Sequence, residues 1–281
     1  SACISKSEVS RRFKAGLEKI MEEFFNRPLA DDYFSIMIDG MSVGKMTVVA
    51  AMGITEEGKK QMLGIIAGAT ENSAVVAALL DDLTTRGLKT DRPMLFVLDG
   101  AKALHKAVTD TFGENAIIQR CQVHKKRNLL SHLPKSEQSN VGLMMSKAYL
   151  DFDHDKAAKQ LKMVARSLEG RYPDAAASLL EGMGETLTVH LLKVPGKLRK
   201  TLSNTNAIES ANSVAASMIR RVTNWKDGEM ILRHLAAGYL EAERGFRRIK
   251  GYREIPFIVF AMDKYVKKSH EHLDDEDIRT A

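Results

Sequence analysis

Two aspartates in this sequence each follow an apolar run and precede a glycine, an arrangement that could support metal binding. The runs cover residues 33–38 and 94–98, and Asp39 and Asp99 come directly after them. If the runs are neighbouring parallel strands, the carboxylates converge at the carboxyl edge of the sheet, where open α/β sheets bind ligands. Such carboxylates repel each other unless a proton or cation lies between them, and Mg²⁺ prefers oxygen ligands. The alternative for Asp99 is that it caps the following helix.

A third acid, Glu209, lies on a predicted amphipathic helix that begins near Asn206. The apolar stripe of this helix consists of Ile208, Ala211, Ala215, Met218 and Val222. Glu209 is one position off the stripe, which directs it along the edge of the core. Two aspartates and a glutamate could hold two Mg²⁺ ions about 3.5–4 Å apart and stabilise the attacking and leaving oxygens of phosphoryl transfer. The alternative is a capping box, with Asn206 as N-cap and Glu209 at the third helical position.

The motif Cys121-x-x-His124 follows the last predicted strand and runs into Lys125, Lys126 and Arg127. A Cys-x-x-His pair could supply half of a zinc site, although the sequence has no second pair at a suitable spacing. The alternative is a buried thiol beside a histidine at a helix start. The three basic residues after the pair are candidates for phosphate contacts, or they form a solvated helix face.

Further candidate phosphate contacts lie in two other basic segments. The first is the predicted loop 193–200, and the second adjoins Trp225, the one tryptophan of the chain. The indole could stack on an unpaired base or pack in the core. The basic candidates in the two segments are Lys197, Arg199, Lys200, Arg220 and Arg221.

The composition is that of a globular protein. The 281 residues include 42 Lys or Arg and 36 Asp or Glu, and the net charge of +6 is compatible with a nucleic-acid partner. Two cysteines, Cys3 and Cys121, cannot form a disulfide framework, and no segment resembles a signal peptide or a membrane span. These features predict a reducing, intracellular location without membrane contact.

The elements that must position the candidate residues follow a clear order. Residues 33–69 contain three apolar runs separated by turns, which predict a three-stranded antiparallel meander. A helix, a strand, a helix and a strand follow, so the predicted class is α/β. From Pro134 to about Pro195 the apolar spacing is helical only. The segment 266–281 is predicted to be a polar, solvated tail.

The first residues carry a helix start. Ser5 and Glu8 fit a capping box, and an apolar stripe follows over residues 9–20. The segment Ile4–Phe13 resembles the turn and second helix of a helix-turn-helix motif, whose first helix would precede residue 1. Residues 1–30 would then be the end of an N-terminal DNA-binding region. The alternative is an ordinary capped helix.

Five phrases together resemble the Mutator-type transposases of bacterial insertion sequences. They occur in the family's order between Asp31 and about Asp263, and the most specific is the Cys-x-x-His block with its Arg-Asn ending. The phrases are Ile38-Asp-Gly40, Val97-Leu-Asp-Gly100, Gln119-Arg-Cys-Gln-Val-His-Lys-Lys-Arg-Asn128, Asn204-Thr-Asn-Ala-Ile-Glu-Ser210 and Glu243-Arg-Gly-Phe-Arg-Arg-Ile-Lys-Gly-Tyr252.

The resemblance implies a ribonuclease H-like fold, with five strands in the order 3-2-1-4-5 flanked by helices. The family also has an all-helical insertion before the helix that carries the last catalytic acid. By this resemblance, residues 31–133 form the first part of the core, residues 134–200 the insertion, and residues 201–265 the last helices of the core.

The same resemblance implies roles for individual residues. Asp39, Asp99 and Glu209 match the family's acidic triad, which would bind Mg²⁺ or Mn²⁺ in a DDE-type two-metal mechanism. Cys121 and His124 match its characteristic pair. His124 would lie near the scissile phosphate or steady the terminal strand.

The implied activity is hydrolysis of double-stranded DNA at transposon ends and transfer of the exposed 3′-hydroxyls to target DNA. A homodimer on DNA is expected because two ends must be brought together, and the expected location is the cytoplasm of a bacterium, on the nucleoid. Two alternatives stay open. One is a domesticated transposase that binds DNA without catalysis, and the other is a ribonuclease H-like nuclease that cleaves without joining.

Overall fold

The computed structural model describes residues 5–70, 72–220, 222, 225 and 228–280. The short apolar runs of the sequence, each bounded by turns, pair into one sheet. Its strands are β1 (Tyr33–Val43), β2 (Met46–Thr55), β3 (Lys60–Gly68), β4 (Met94–Leu98) and β5 (Ala116–Arg120). The order is β3-β2-β1-β4-β5, with β1 to β3 antiparallel and with β4 and β5 parallel to β1. The predicted α/β class and the strand order 3-2-1-4-5 are confirmed.

Strand β1 is longer than predicted, because it continues past Asp39 to Val43. Its first half pairs with both β2 and β4, whereas its second half pairs with β2 alone. The chain then reverses at Gly44, whose φ of +60° suits a residue without a side chain. Asp39 therefore lies where β4 ends, at the junction between the central sheet and a two-stranded ribbon.

Several helices begin at the capping signals in the sequence. Ser5 accepts a hydrogen bond from the backbone N–H of Glu8 and caps α1, as predicted, and Pro173 occupies the first turn of α7. The helices of the described residues are α1 (Lys6–Asn26), α2 (Ser73–Thr85), α3 (Lys102–Phe112), α4 (Gln122–Ser131), α5 (Lys135–Leu150), α6 (His154–Glu169), α7 (Pro173–Leu180), α8 (Thr188–Leu191), α9 (Gly196–Leu202), α10 (Asn206–Ile219), α11 (Gly228–Arg244) and α12 (Ile255–Thr280).

Helices cover both faces of the sheet. Helices α2 and α3 cover one face, where the ring centroids of Phe96 and Phe112 lie 4.7 Å apart. The other face packs against α10 and α11, together with Phe24 from the C-terminal half of α1. Because apolar layers lie on both sides, β4 is buried at all five positions, as its continuous apolar run indicates.

The described elements between β5 and α10 are all helical. Leu161, Val164 and Leu168, the stripe identified in the sequence, belong to an apolar cluster separate from the two that line the sheet. This cluster extends from Leu129 on α4 to Leu187, so the helical block has a core of its own. The block returns to the sheet through α9, which leads directly into α10.

Two segments differ from the sequence-based expectation. The predicted loop 193–200 is helical from Gly196, because Pro195 at the N-cap position starts α9. The backbone of the predicted tail is also helical, since α12 continues to Thr280. In the described part of the chain, no helix is both long enough and apolar enough to cross a bilayer.

Candidate functional site

The two strand-end aspartates lie side by side. In the parallel ladder between β1 and β4, Ile38 pairs with Leu98, so Asp39 and Asp99 follow at the next position of each strand. Asp39 is only 7% exposed, whereas Asp99 is partly exposed. The expectation that their strands are parallel neighbours is therefore met, and both carboxyl groups occupy one edge of the sheet.

Asp99 is held by the turn that follows β4. Its Oδ1 accepts a hydrogen bond from the backbone N–H of Ala101 at 2.8 Å. The N-cap residue of α3 is Ala101 and not Asp99, so the alternative of a helix cap is wrong for this residue. Between them lies Gly100, with φ of +105°, where a Cβ atom would lie 2.8 Å from Nε of Arg120.

Arg120 connects this turn to the helical block. Its guanidinium is buried, and Nη2 donates to the carbonyl oxygen of Gly100 at 3.1 Å. The same group makes two hydrogen bonds to the carboxylate of Glu181, which follows α7. Those hydrogen bonds are the main reason that the pKa of Glu181 falls to about 2. Gly182, with φ of +60°, lies against the guanidinium. Arg120 therefore ties the Asp99 turn and the helical block to the end of β5.

We expect Gly182→Ala to lower the free energy of unfolding by about 2–3 kcal/mol, because it combines an unfavourable backbone conformation with displacement of Arg120. A Cβ atom at this position would overlap the guanidinium. The matched control is Gly184→Ala, where a Cβ atom would meet no atom within 4 Å. Urea unfolding would measure both, and similar losses in the two variants would contradict this role of Arg120.

Glu209 reaches the site from the first turn of α10. The helix begins at Asn206, as predicted, but its N-cap residue is Thr205, so the alternative of a capping box formed by Asn206 and Glu209 is wrong. With Thr205 as the N-cap, Glu209 is the fourth helical residue, one position beyond the third position that a capping box requires. The Thr205 hydroxyl instead donates to Oε1 of Glu209 at 2.7 Å, which orients the carboxylate.

Asn212 joins α10, the helix that carries Glu209, to Asp39 on β1, and it was not identified from the sequence. Its side-chain Nδ2 donates to Oδ2 of Asp39 at 2.8 Å, and its Oδ1 accepts from the hydroxyl of Tyr239 on α11 at 2.8 Å. Asn212 follows Glu209 by three residues, so the two share a helix face. That spacing was the one signal in the sequence that could have identified it.

The charges at this edge act on each other. Burial, followed by the neighbouring charges of Asp99 and Glu209, raises the pKa of Asp39 to about 7. His124 and the hydrogen bond from Asn212 act in the opposite direction. Asp39, Asp99 and Glu209 therefore place three mutually repelling carboxyl groups near one another. A hard divalent cation, which prefers oxygen ligands, would relieve this repulsion. The residues therefore fit Mg²⁺ or Mn²⁺.

Cys121 and His124 lie beside Glu209. Cys121 is fully buried as the N-cap residue of α4, while the His124 side chain is 24% exposed with Nε2 at 3.9 Å from Oε1 of Glu209. The hydroxyl of Thr205 lies 3.4 Å from both Cys121 Sγ and His124 Nδ1. The hydrogen bond with Cys121 raises the pKa of His124 despite its burial, and Glu209 and Asp99 add to this rise.

Two predicted phosphate contacts are corrected by the structure. Lys125 is 3% exposed, and its ammonium donates to the backbone oxygen of Ser178 at 2.7 Å and to Glu181. Arg199 is 8% exposed and donates to the carbonyl oxygens of Leu150 and Asp151. The donor groups of both side chains are used inside the protein, where they hold the helical block. Lys125 and Arg199 are therefore not available to contact phosphates.

The other basic candidates are accessible to different degrees. Arg127 is exposed, with Nη1 at 4.0 Å from Oε2 of Glu209, and Lys197 is exposed on α9. Lys126 and Lys200 line a groove of about 590 Å³ beside the site, together with Gln122, Ser203, Asn204 and Asn206. Arg220 is exposed at the end of α10, whereas Arg221 lies outside the described residues.

Trp225 lies beside the turn at Gly44, away from the groove. The Cβ position of Gly44 lies 3.4 Å from Cδ1 of the indole, and the ring makes an edge contact with His234 at a centroid distance of 5.7 Å. It also packs against the core of the sheet. These contacts favour the packing alternative over base stacking.

The comparisons with known proteins agree with the resemblance. The family model of the Mutator family transposases matches residues 1–248. The transposase for insertion sequence element IST2 of Acidithiobacillus ferrooxidans is 31% identical over 180 residues, 64% of this chain and 60% of the relative. That for IS6120 of Mycolicibacterium smegmatis is 30% identical over 187 residues, 64% and 56% of the two chains.

A third relative covers more of the chain. The transposase for insertion sequence element IS905 of Lactococcus lactis subsp. lactis is 27% identical over 238 residues, 82% of this chain and 59% of the relative. The chain thus spans between 56% and 60% of the length of these three curated relatives. Since the family model covers most of the sequence, the chain belongs to the Mutator family of transposases.

Proposed function

We propose that this chain carries the catalytic centre of a DDE-type transposase, which hydrolyses DNA at transposon ends and joins the 3′-hydroxyls to target DNA. The centre would consist of Asp39, Asp99 and Glu209 in a ribonuclease H-like fold, with residues 134–200 as the helical insertion. The main support is the hydrogen bond from Asn212 to Asp39, because it brings the Glu209 face of α10 to the strand edge. Family membership and the strand order add to it.

The carboxylates would hold Mg²⁺ or Mn²⁺, which when bound activates a water or a 3′-hydroxyl and stabilises the leaving oxygen. The protein groups are already oriented for this task. Asn212 fixes Asp39, the Ala101 N–H fixes Asp99, and the Thr205 hydroxyl fixes Glu209. Such preorganisation avoids rearrangement during the reaction.

His124 is proposed as a positioning residue for Glu209. Its Nε2 faces the carboxylate at 3.9 Å, and its raised pKa favours the charged imidazolium that would attract that carboxylate. A positive charge at this place would also limit the repulsion among the three acids. This role accounts for the His124 geometry without requiring a contact to DNA.

The DNA backbone is proposed to run along the groove beside Glu209. Lys126 and Lys200 line this groove, and the exposed amide of Asn206 would supply a neutral donor. Lys197, Arg127 and Arg220 are exposed and would add further phosphate contacts. Phosphate contacts of this kind position a duplex without reading its sequence.

We expect Lys200→Gln to weaken DNA binding and to make the slope of log K against log salt shallower by about 0.9, the value for one lost phosphate contact. The matched control is Lys106→Gln, since Lys106 is exposed on α3 over the other face of the sheet and pairs with Asp110. Fluorescence anisotropy with a labelled duplex at several salt concentrations measures both slopes. Equal slopes for Lys200→Gln and wild type would exclude Lys200 from the binding surface.

The experiment that tests the site most directly is a crystal structure with Mn²⁺, recorded at an energy where manganese scatters anomalously. Peaks bridging Asp39, Asp99 and Glu209 would support the assignment, and the measurement needs no knowledge of the target DNA. Peaks at other residues, with none at this edge, would overturn the metal-dependent mechanism.

Analysis of the DNA products would distinguish the proposed transposase from the two alternatives, a nuclease and a DNA-binding protein without catalysis. Cleavage followed by joining supports the transposase, and cleavage without joining supports a nuclease. DNA binding with no metal-dependent cleavage supports a protein that has lost catalysis. A homodimer on DNA, associated with the nucleoid, is also proposed, because two ends must be brought together, and sedimentation of the complex with DNA would measure its stoichiometry.

A further inference from the structure

Cys121, His124 and Glu209 form a compact group of three different ligand types. Their ligand atoms all lie within 4.8 Å of one another. A point equidistant from three atoms that are 4.8 Å apart lies about 2.8 Å from each. Zinc bonds are about 2.3 Å to sulfur and 2.0–2.2 Å to nitrogen or oxygen, so inward shifts of less than about 1 Å would complete a site.

The ligand groups of Cys121, His124 and Glu209 all lie around the hydroxyl of Thr205. Its oxygen lies 3.4 Å from Cys121 Sγ, 3.4 Å from His124 Nδ1 and 2.7 Å from Glu209 Oε1. His124 Nε2 and Glu209 Oε1 are 3.9 Å apart, and the ligands of a tetrahedral zinc centre are about 3.3–3.8 Å apart, from the bond lengths and the tetrahedral angle. Thr205 thus holds the three ligands together, as hydrogen-bonding partners of metal ligands commonly do.

The ligand chemistry differs from that of the neighbouring acids. A thiolate and an imidazole favour Zn²⁺ or Co²⁺ over Mg²⁺, whereas Asp39 and Asp99 offer oxygen only. Cys121 lies at the N-terminus of α4, where the helix dipole and the backbone N–H of His124 stabilise a thiolate. His124 and Glu209 are partly exposed, which gives an ion a path to the buried sulfur.

Glu209 belongs to both groups. Its Oε1 faces His124 and Thr205, while its charge also acts on Asp39. An ion held by the sulfur and the imidazole would draw this carboxylate away from the strand edge. The acidic triad would then lack its third member.

We propose that Cys121, His124 and Glu209 form a second metal site, selective for ions of the zinc class, and that filling it inhibits the catalytic centre by sequestering Glu209. Metal binding at this site stands on the geometry of the three residues. The inhibitory effect rests in addition on the proposed function. The two parts can therefore be tested separately.

The binding part is tested by titration with Co²⁺, whose bond to a thiolate gives a charge-transfer band in the near ultraviolet. A Cys3→Ser background removes the other thiol of the chain. We expect one equivalent of Co²⁺ to produce the band, with displacement by Zn²⁺ but not by excess Mg²⁺. Cys121→Ser should abolish the band, and Glu209→Gln and His124→Asn should each weaken Co²⁺ binding by more than about tenfold.

Asp99→Asn is the control for the binding part, because it alters the catalytic edge but none of the three ligands. It should retain both the band and the midpoint of the titration. Absence of the band in the background protein, its persistence in Cys121→Ser, or its loss in Asp99→Asn would overturn the site. Circular dichroism of each variant would show that the fold is retained.

The inhibitory part is tested by adding Zn²⁺ to DNA cleavage in Mg²⁺ and comparing each variant with itself in the absence of Zn²⁺. Inhibition in the background protein and its relief in Cys121→Ser would support the proposal, and equal inhibition in both would overturn it. A protein with the cobalt band but no cleavage in Mg²⁺ would overturn the proposed function and leave the metal site standing. A protein that cleaves DNA but gives no band would overturn the metal site alone.

Discussion

Asp99→Asn is expected to lower DNA strand cleavage by about a thousandfold or more, since loss of a charged metal ligand removes several kcal/mol of transition-state stabilisation. The variant is expected to fold normally. Asparagine retains a side-chain oxygen that can accept the hydrogen bond from the Ala101 N–H, so the turn after β4 is preserved. Cleavage of a labelled DNA end in Mg²⁺, with the unfolding transition recorded in parallel, measures both expectations.

The matched control is Asp110→Asn, the same substitution on the exposed side of α3, where Asp110 pairs with Lys106. Exposed ion pairs contribute little to stability, so this variant should cleave DNA at close to the wild-type rate. Wild-type cleavage by Asp99→Asn would remove Asp99 from the catalytic assignment. An equal loss in both variants would indicate a general effect of net charge on DNA binding instead.

The sheet could be predicted because its strands are apolar runs that end at glycine-rich turns. The run from Met94 to Leu98 is buried on both faces, and no amphipathic alternation obscures it. The end of β1 was harder to place. Asp39 and Gly40 resemble a strand end, yet backbone pairing with β2 carries the strand on to Val43, and that pairing depends on a partner strand rather than on local composition.

The predicted helix start near Asn206 is confirmed, but the N-cap residue before it could not be identified for a local reason. Asn204, Thr205 and Asn206 are all residue types that favour helix caps, so composition alone could not choose among them. In the structure, Asn204 Oδ1 accepts from the Asn206 N–H, and the helix begins after Thr205. The same short segment places the Thr205 hydroxyl among Cys121, His124 and Glu209, a position that sequence spacing did not reveal.

The burial of two basic residues could not be predicted, because their partners are distant in sequence. Lys125 is held by Ser178 and Glu181 of the helical block, more than fifty positions away. Arg199 contacts backbone oxygens at the end of α5. A charged run indicates a solvated surface only when no such partners pack against it, and the sequence does not contain that information.

Asp39→Asn is expected to stabilise the metal-free protein at pH 8, in contrast to most substitutions at buried positions. The pKa of Asp39 is raised from 3.8 to about 7, mainly by burial and then by Asp99 and Glu209. The buried carboxylate is therefore an unfavourable charge above that pH. Asparagine removes the charge but can still accept the hydrogen bond from Asn212.

The direction of the pH dependence follows from proton binding. Between pH 4 and 7 the folded protein holds a proton on Asp39 that the unfolded chain has lost, so stability falls as the pH rises through this interval and levels off above it. One pKa unit corresponds to about 1.4 kcal/mol, which sets an upper limit of about 4 kcal/mol for the gain in Asp39→Asn at pH 8. The gain should become small near pH 4 and disappear at lower pH, where the aspartic acid is neutral in both states.

Guanidinium unfolding at pH 4.5, 6 and 8, first with a chelator and then with Mn²⁺, would measure this effect. Mn²⁺ should stabilise the wild type by binding its folded state and should stabilise Asp39→Asn much less. A parallel pH dependence of the two proteins would contradict the raised pKa of Asp39. Equal stabilisation of the two proteins by Mn²⁺ would contradict the metal site. If Asp39→Asn is more stable than the wild type without metal but less stable with Mn²⁺, the Asp39 carboxylate destabilises the metal-free protein and is needed to bind the ion.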